Sequence, residues 1–289
     1  MKAPPFQYHR PQTRDELGAL LSGLDNAKIL AGGQSLMPML NLRVLAPDHL
    51  IDINRIPELS GIRETANGIE IGAMTRQADV LSSPIVRARL PLLARALEHV
   101  GHIQTRSRGT IGGSCCHLDP SAEQPAMCAA LDAEFVAVGP NGRRVVAAAD
   151  WFQGLLQSAL NDQEFLEVLR FKPWAKGHGY GFAEYARRHG DFAIAGAAAL
   201  LEINGRSEIT RAALLVFGVE PAPRRLDGAE ATLIGRIIRD ITFAPIVDAA
   251  HALDPMEDTH VTADYRRHLA GILISRALRE ACNTLERSQ

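Results

Sequence analysis

Residues 29–36 read ILAGGQSL: an apolar lead-in, two adjacent glycines, a polar pair and a return to apolar residues. Glycine pairs cost backbone entropy, and they are useful where a chain turns sharply or lets another group approach its main chain. The arrangement returns at 108–114, RGTIGGS, where Gly112 and Gly113 repeat it. Successive amides in a glycine turn can converge on a phosphate without side-chain bulk. Gln34, Ser35, Thr110 and Ser114 would add side-chain donors beside them. Two such loops suit a diphosphate. Neither is a Walker loop, because no Gly-Lys-Ser/Thr ending is present, and neither is the GxGxxG of a dinucleotide-binding unit. On these residues alone, a pair of purely structural turns remains the competing reading.

Working outward, 289 residues can bury a large core and imply two or three compact units. A composition 46% hydrophobic and 22% charged is that of an ordinary soluble globular chain. A net charge of -2 gives no bias toward nucleic acid or a membrane surface. No membrane span is expected, because the nearest apolar run, Phe192 to Leu201, is far short of the roughly 20 residues a span needs. The start, MKAPPFQYHRP, lacks the apolar segment of a signal peptide, so a cytoplasmic location is expected. The four cysteines, Cys115, Cys116, Cys128 and Cys282, form no CxxC and no zinc or iron-sulfur spacing. They read as small buried hydrophobes. His117, Asp119 and Glu123 in CCHLDPSAEQPAM read as turn and capping chemistry rather than a metal site. No Gly-x-Ser-x-Gly elbow points to nucleophilic catalysis, and no catalytic side chain is assigned.

The pattern along the chain predicts a small α/β unit over about 1–60. Thr13 and Glu16 form a capping box before Leu17, Leu20, Leu21 and Leu24, and strands are expected at Ala27 to Leu30 and at HLIDI, 49–53. Over about 61–176 an α+β unit is expected: a strand at GIEIGAM, a helix from Pro91 closed by Gly101, a hairpin at 134–147 turning at Asn141 and Gly142, and a strand at Phe165 to Phe171. From 177 onward KGHGYGF reads as a linker or mobile loop. Two long strands follow around Asn204 and Gly205, and then a helix capped by Thr262, with Tyr265, Leu269, Ile272, Leu273 and Ala277 on its inner face.

Four stretches in this order, ILAGGQSLMPMLNLRVLAPDHLIDI, RGTIGGSCCHLDPSAEQPA, RRHGDFAIAGAA and YRRHLAGILISRAL, resemble the FAD-binding medium subunit of the molybdenum hydroxylases, the family of the carbon monoxide and xanthine dehydrogenases. The resemblance implies an α+β fold of the vanillyl alcohol oxidase (PCMH) type. Two subdomains within 1–176 would hold FAD between them, and a small C-terminal α+β domain, 177–289, would pack alongside. It implies that Leu30, Ala31, Gly32, Gly33, Gln34, Ser35 and Leu36 form one diphosphate loop and Thr110, Ile111, Gly112, Gly113 and Ser114 the other. It further implies cofactor contacts at Gly101, Asp119, Glu123 and Leu166, and at Asp191 and Phe192 near the flavin ring, with Arg187 and Arg188 close by. Their alternative readings are a helix cap, a turn carboxylate, a surface acid, a core leucine and a strand lead-in. Ser114 stands where many relatives have Asn, Glu123 where Asp is usual, and Phe192 where some have Tyr, while Cys115 and Cys116 replace apolar or small residues.

In that family a large subunit holds the molybdenum cofactor and a small one holds two [2Fe-2S] clusters, in a heterotrimer or a dimer of heterotrimers. FAD would be the only cofactor of this chain, relaying electrons to an acceptor its sequence does not identify. The alternatives are a self-sufficient FAD-dependent oxidoreductase acting on a small molecule, and a non-catalytic interaction subunit whose glycine loops are only turns.

Overall fold

The computed structural model describes residues 2–288. The Thr13 hydroxyl accepts from the Glu16 amide at 3.2 Å and starts the helix Arg14–Gly23. The Glu16 carboxylate reaches back to the Gln12 amide, one residue before the cap, at 2.7 Å. Leu17 and Leu21 thereby point at a parallel sheet ordered Gln7–His9, His49–Asp52, Ala27–Leu30. These leucines share a buried cluster with Ile51 and Ile53, and with Met74 and Phe165 from the next layer.

That layer is an antiparallel five-stranded sheet in the order Ile62–Thr65, Gly68–Gly72, Phe165–Phe171, Glu134–Gly139, Gly142–Ala147. Gly139 pairs with Gly142, so the hairpin turns on Pro140 and Asn141, one residue earlier than expected. Gly142 is already the first residue of the returning strand, at φ 92°. The helices Pro91–Leu97, Ile111–His117 and Glu123–Ala130 contribute to the same large core. Trp151 anchors it, stacked on Phe135 at 4.2 Å and donating through Nε1 to the Cys115 carbonyl at 2.7 Å.

The C-terminal sheet is ordered Gly179–Tyr185, Ala195–Ile203, Ile209–Phe217, Arg224–Arg225. The expected linker at KGHGYGF is instead largely a strand. Its glycines serve close packing: a Cβ on Gly181 would run into the Ala277 carbonyl oxygen and one on Gly179 into that of Ala281. A side chain at either position would push the helix Ala263–Ser288 off the sheet.

The apolar run through Ala195 to Leu201 follows from burial on both faces. Ala195, Ala197, Ala199 and Leu201 pack toward the C-terminal helices, whereas Ala198 and Leu200 join the large core that Trp151 anchors. Thr262 caps the last helix as expected, accepting from the Tyr265 amide at 3.3 Å. Leu269, Leu273 and Ala277 are buried and Ile272 is half-buried, but Tyr265 is 42% exposed and the buried position beside it is Arg266. An α+β architecture results, and no helix among the described residues is long and apolar enough to cross a membrane.

Candidate functional site

The first glycine pair joins the strand Ala27–Leu30 to the helix Leu36–Asn41, whereas Gly112 and Gly113, expected in a loop, form the first turn of the helix Ile111–His117, and the fold presses the two segments together. A Cβ on Gly32 would drive into the Arg108 carbonyl oxygen and lie 2.8 Å from the Gly109 Cα. One on Gly113 would sit 3.5 Å from the Ala31 Cβ. Gly112 is packed from below, where a Cβ would lie 2.6 Å from the Ala73 carbonyl oxygen. Gly33 adopts φ 73°, a left-handed conformation that favours glycine. Gly32 and Gly112 therefore serve close main-chain packing, Gly113 leaves room for the Thr110 hydroxyl, which a Cβ there would approach to 2.8 Å, and Gly33 serves the turn.

The two segments offer unlike sets of amides. In the second loop, Ile111 N donates to Thr75 O at 3.1 Å and Gly112 N to Ala73 O at 2.9 Å. Gly113 N donates to the Thr110 hydroxyl at 3.1 Å and Ser114 N to Thr110 O at 3.2 Å. This loop is thus held by its own amides to the strand-end residues beneath it. In the first loop, the amides of Gly33, Gln34, Ser35 and Leu36 donate to no acceptor among the described residues, although all but Gln34 are half-buried. Ser35 precedes the helix Leu36–Asn41 without using its hydroxyl as a cap. Unpaired, partly buried N–H groups carry a free-energy cost that an anion would relieve. The donor set of this loop therefore fits the diphosphate of FAD.

Residues that the sequence reading passed over fix this loop. Asn54 donates through Nδ2 to the Ala31 carbonyl at 2.8 Å and to Asp52 Oδ1 at 2.6 Å. Arg76 donates to Asn54 Oδ1 at 2.6 Å and, through its other terminal nitrogen, to the Arg108 carbonyl. One guanidinium thus ties the first loop's support to the carbonyl against which Gly32 packs. Tyr8 donates to Asp52 from the edge strand. Burial opposes ionisation of Asp52, but the hydrogen bonds from Tyr8 and Asn54 outweigh it and hold the carboxyl below its usual range. A cavity of about 430 Å³ opens beside this network between Asn54, Thr75, Arg76 and Asp79. The only sequence cue was position: Asn54 follows a strand and Arg76 precedes the helix Gln77–Ser82.

The remaining expected contacts gather around the junction with the C-terminal sheet. Gly101 has φ 47°, and Gly190 lies so near it that a Cβ there would be 2.8 Å from the Gly101 carbonyl oxygen. The loop carrying Asp191 and Phe192 is therefore seated against Gly101. Asp191 is exposed, and Phe192 is 67% exposed, an apolar ring held in solvent. Asp119 is half-buried and accepts from the Ser121 amide at 2.9 Å, as a turn carboxylate does. Pro120 O accepts from Gly218 N at 2.8 Å, tying this segment to the C-terminal sheet. Leu166 is 4% exposed and belongs to the same core as Ile111 and Cys115. Arg187 and Arg188 are exposed.

Glu123 is not a surface acid: it is 7% exposed, and burial, reinforced by the charge of Asp119, pushes its carboxyl up to about 7. A second acid that the sequence reading passed over, Glu184, has a side chain only 4% exposed. Burial and then the charge of Glu123 push it up to about 8.

Comparison with known proteins agrees with this geometry. Residues 4–173 match the FAD binding domain in molybdopterin dehydrogenase, and residues 180–281 match the CO dehydrogenase flavoprotein C-terminal domain. The chain is 42% identical over 283 residues to the carbon monoxide dehydrogenase medium chain of Hydrogenophaga pseudoflava, covering 97% of this chain and 98% of the relative. It is 36% identical to the glyceraldehyde dehydrogenase medium chain of Sulfolobus acidocaldarius, covering 97% and 99%. Among solved structures, a Hydrogenophaga pseudoflava carbon monoxide dehydrogenase lacking the Mo-pyranopterin moiety superimposes with a TM-score of 0.94 at 43% identity, over 98% of this chain and 99% of that one. Quinoline 2-oxidoreductase from Pseudomonas putida superimposes with a TM-score of 0.92 at 33% identity, over 99% of each. The glycine loops, the buried junction and the full-length matches place this chain together: it belongs to the FAD-binding medium subunits of molybdenum-hydroxylase-type dehydrogenases, oxidoreductases built from several subunits.

Proposed function

We propose that this chain is an electron-transfer subunit, receiving electrons from [2Fe-2S] clusters on a small partner and passing them from FAD to an external acceptor. A large partner would hold the molybdenum cofactor and the substrate, the three chains forming a heterotrimer or its dimer in the cytoplasm. The observation that carries the reading is the row of unpaired amides from Gly33 to Leu36, held against a second glycine loop whose own amides are engaged.

When bound, FAD supplies the redox chemistry, and the protein's part is to bind, orient and limit access. Amides 33–36 would hold the diphosphate, with the Ser35 hydroxyl free to add a donor. The Thr110 cap and the Ile111 and Gly112 hydrogen bonds keep the opposite wall rigid. The loop of Asp191 and Phe192, seated on Gly101, would border the ring, where the exposed Phe192 face is free to pack on it. We further propose domain limits near 60 and 176, with FAD between the first two units.

The reading is tested by purifying the chain with its co-expressed partners. Yellow protein that releases FAD on denaturation and retains two further subunit types is the expected result. A colourless chain that takes up no FAD overturns it. Within the site, Gly33→Val is expected to weaken FAD retention about tenfold or more. A β-branched residue strains φ 73°, and its Cβ would lie 3.2 Å from a Leu30 methyl. Flavin absorbance per chain after gel filtration reads the loss.

A further inference from the structure

Glu184 lies on the strand Gly179–Tyr185, at the seam where the C-terminal sheet meets the helix Pro91–Leu97. Neighbouring Phe182 belongs to the core of the FAD-binding half, and Ala183 packs toward the C-terminal helices. Glu184 therefore shares the Phe182 face and points into the junction. Its side chain is more than nine-tenths buried, and Oε2 has no hydrogen-bond partner among the described residues. Its other oxygen stands 3.8 Å from His99 Nδ1. His99 packs on Phe182 at 4.9 Å and on the exposed His189 at 6.1 Å, so it bridges the buried acid and solvent.

A buried carboxylate with one oxygen unpaired is costly as an anion and tolerable as an acid. The charge of Glu123 raises the Glu184 carboxyl further, after burial itself does so. The charged and titratable groups around the junction are Arg95, Glu98 and His99 from the helix end, His189 from the following turn, and Asp119 beside Glu123. From the last helix, Glu280 accepts from the Phe182 amide. Burial, with Arg95 and His189, keeps His99 below its usual range. The pair at 3.8 Å is thus an acid beside a neutral imidazole rather than an ion pair at neutral pH. The cluster is bracketed by three expected cofactor positions: Gly101 two residues after His99, Glu123 itself, and Asp191 on the loop that continues from Glu184.

Building on the proposed FAD function, we propose that Glu123 and Glu184 form a proton-holding pair beside the cofactor, and that electrons arriving there draw one further proton from solvent onto the pair through His99. For each turnover two electrons come from a one-electron donor of the iron-sulfur class. One proton comes from water, one carboxylate gains an O–H bond, and no other bond in the chain is made or broken. On reoxidation the proton leaves by the same route. The pair is a positioning device for charge: it offsets the negative charge that the electrons bring.

The test is the pH dependence of the flavin midpoint potential in the FAD-loaded full-length chain, reduced stepwise with dithionite and mediator dyes. Above about pH 8, where the Glu184 carboxyl of the oxidised protein is ionised, the wild type is expected to take up one proton per two electrons more than Glu184→Gln. That is a slope difference of about 30 mV per pH unit. Redox-difference infrared spectra should gain a protonated-carboxyl band in the wild type that the variant lacks. Glu123→Gln carries the same expectation and serves if Glu184→Gln does not keep FAD. A second readout needs no cofactor. Raised folded-state values mean that stability fully present below pH 4.5 is lost progressively as pH rises from there to about 7 and 8, so the melting temperature of the FAD-free chain should fall across that span and level off above it, and fall less in Glu184→Gln. FAD bound with superimposable potential curves in wild type and variant overturns this inference alone. A wild-type chain that binds no FAD overturns the cofactor reading and the inference with it.

Discussion

Gly32→Val is expected to yield a folded chain that retains less than a tenth of the wild-type FAD. The new Cβ would collide with the Arg108 carbonyl oxygen and with Gly109, both main-chain groups that no side-chain rotation can move. That carbonyl also accepts from Arg76, which in turn holds Asn54 and through it Ala31. Relief of the clash therefore parts the loops and disturbs the support of the amide row together. A tenfold loss of affinity corresponds to about 1.4 kcal/mol, well below what a clash with backbone forces on a half-buried loop. Bound flavin per chain measures the effect, and far-UV circular dichroism checks the fold. Gly18→Ala is the matching control, since its Cβ meets nothing within 4 Å on the first helix. It should leave FAD unchanged and raise stability by about 0.5–1 kcal/mol through helix propensity. Wild-type FAD content in Gly32→Val would refute the packing role.

Arg266→Met is expected to destabilise the chain by about 2–5 kcal/mol, because it leaves one buried carbonyl and one half-buried carbonyl without this donor, at about 1–3 kcal/mol each. Arg266 is 7% exposed, and its Nη1 donates to Ile194 O at 2.6 Å and Gly218 O at 2.7 Å, while Nη2 pairs with Asp258. Gly218 N in turn holds Pro120 O, so one side chain links the loop after Asp191 to the segment before Glu123. Urea unfolding reads the stability. Amide hydrogen exchange should show lost protection around 191–195 and 218. Arg266→Lys should recover only part, since an ammonium cannot present the same fork of donors. An unchanged unfolding midpoint in Arg266→Met would count against the linkage.

Much of the local structure was legible because it depends on neighbours in sequence. The Thr13 cap, the start of a helix at Pro91, the strand Phe165–Phe171 and the Thr262 cap each answer to side chains a few residues apart, although the helix from Pro91 ends at Leu97 and is not closed by Gly101 as expected. The errors share one cause, contact between distant segments. Gly179 and Gly181 read as a flexible linker because glycine-rich stretches usually are, and only the helix lying on them, about 100 residues later, explains the strand. Tyr265 and Arg266 exchanged roles for a like reason. Hydropathy assigns the tyrosine inward, but the free carbonyls of Ile194 and Gly218 reward a buried donor. Glu184, His99 and Arg76 were passed over because nothing beside them in the chain marks their partners.

The sequence by itself determined that two glycine loops exist, that an α+β chain carries them, and that the residues around them resemble an FAD-binding subunit, since glycine pairs and short-range periodicity are local properties. Only the tertiary structure decided how the loops divide their tasks. The amides of Ile111 and Gly112 are taken by Thr75 and Ala73, more than thirty residues away, and those of Gly113 and Ser114 by Thr110, while those from Gly33 to Leu36 meet no such partner among the described residues. In the same way burial, not residue type, turned Glu123 and Glu184 into weak acids. Hydrogen-bond saturation and desolvation are set by what surrounds a group in space, and that information enters only when the chain has folded.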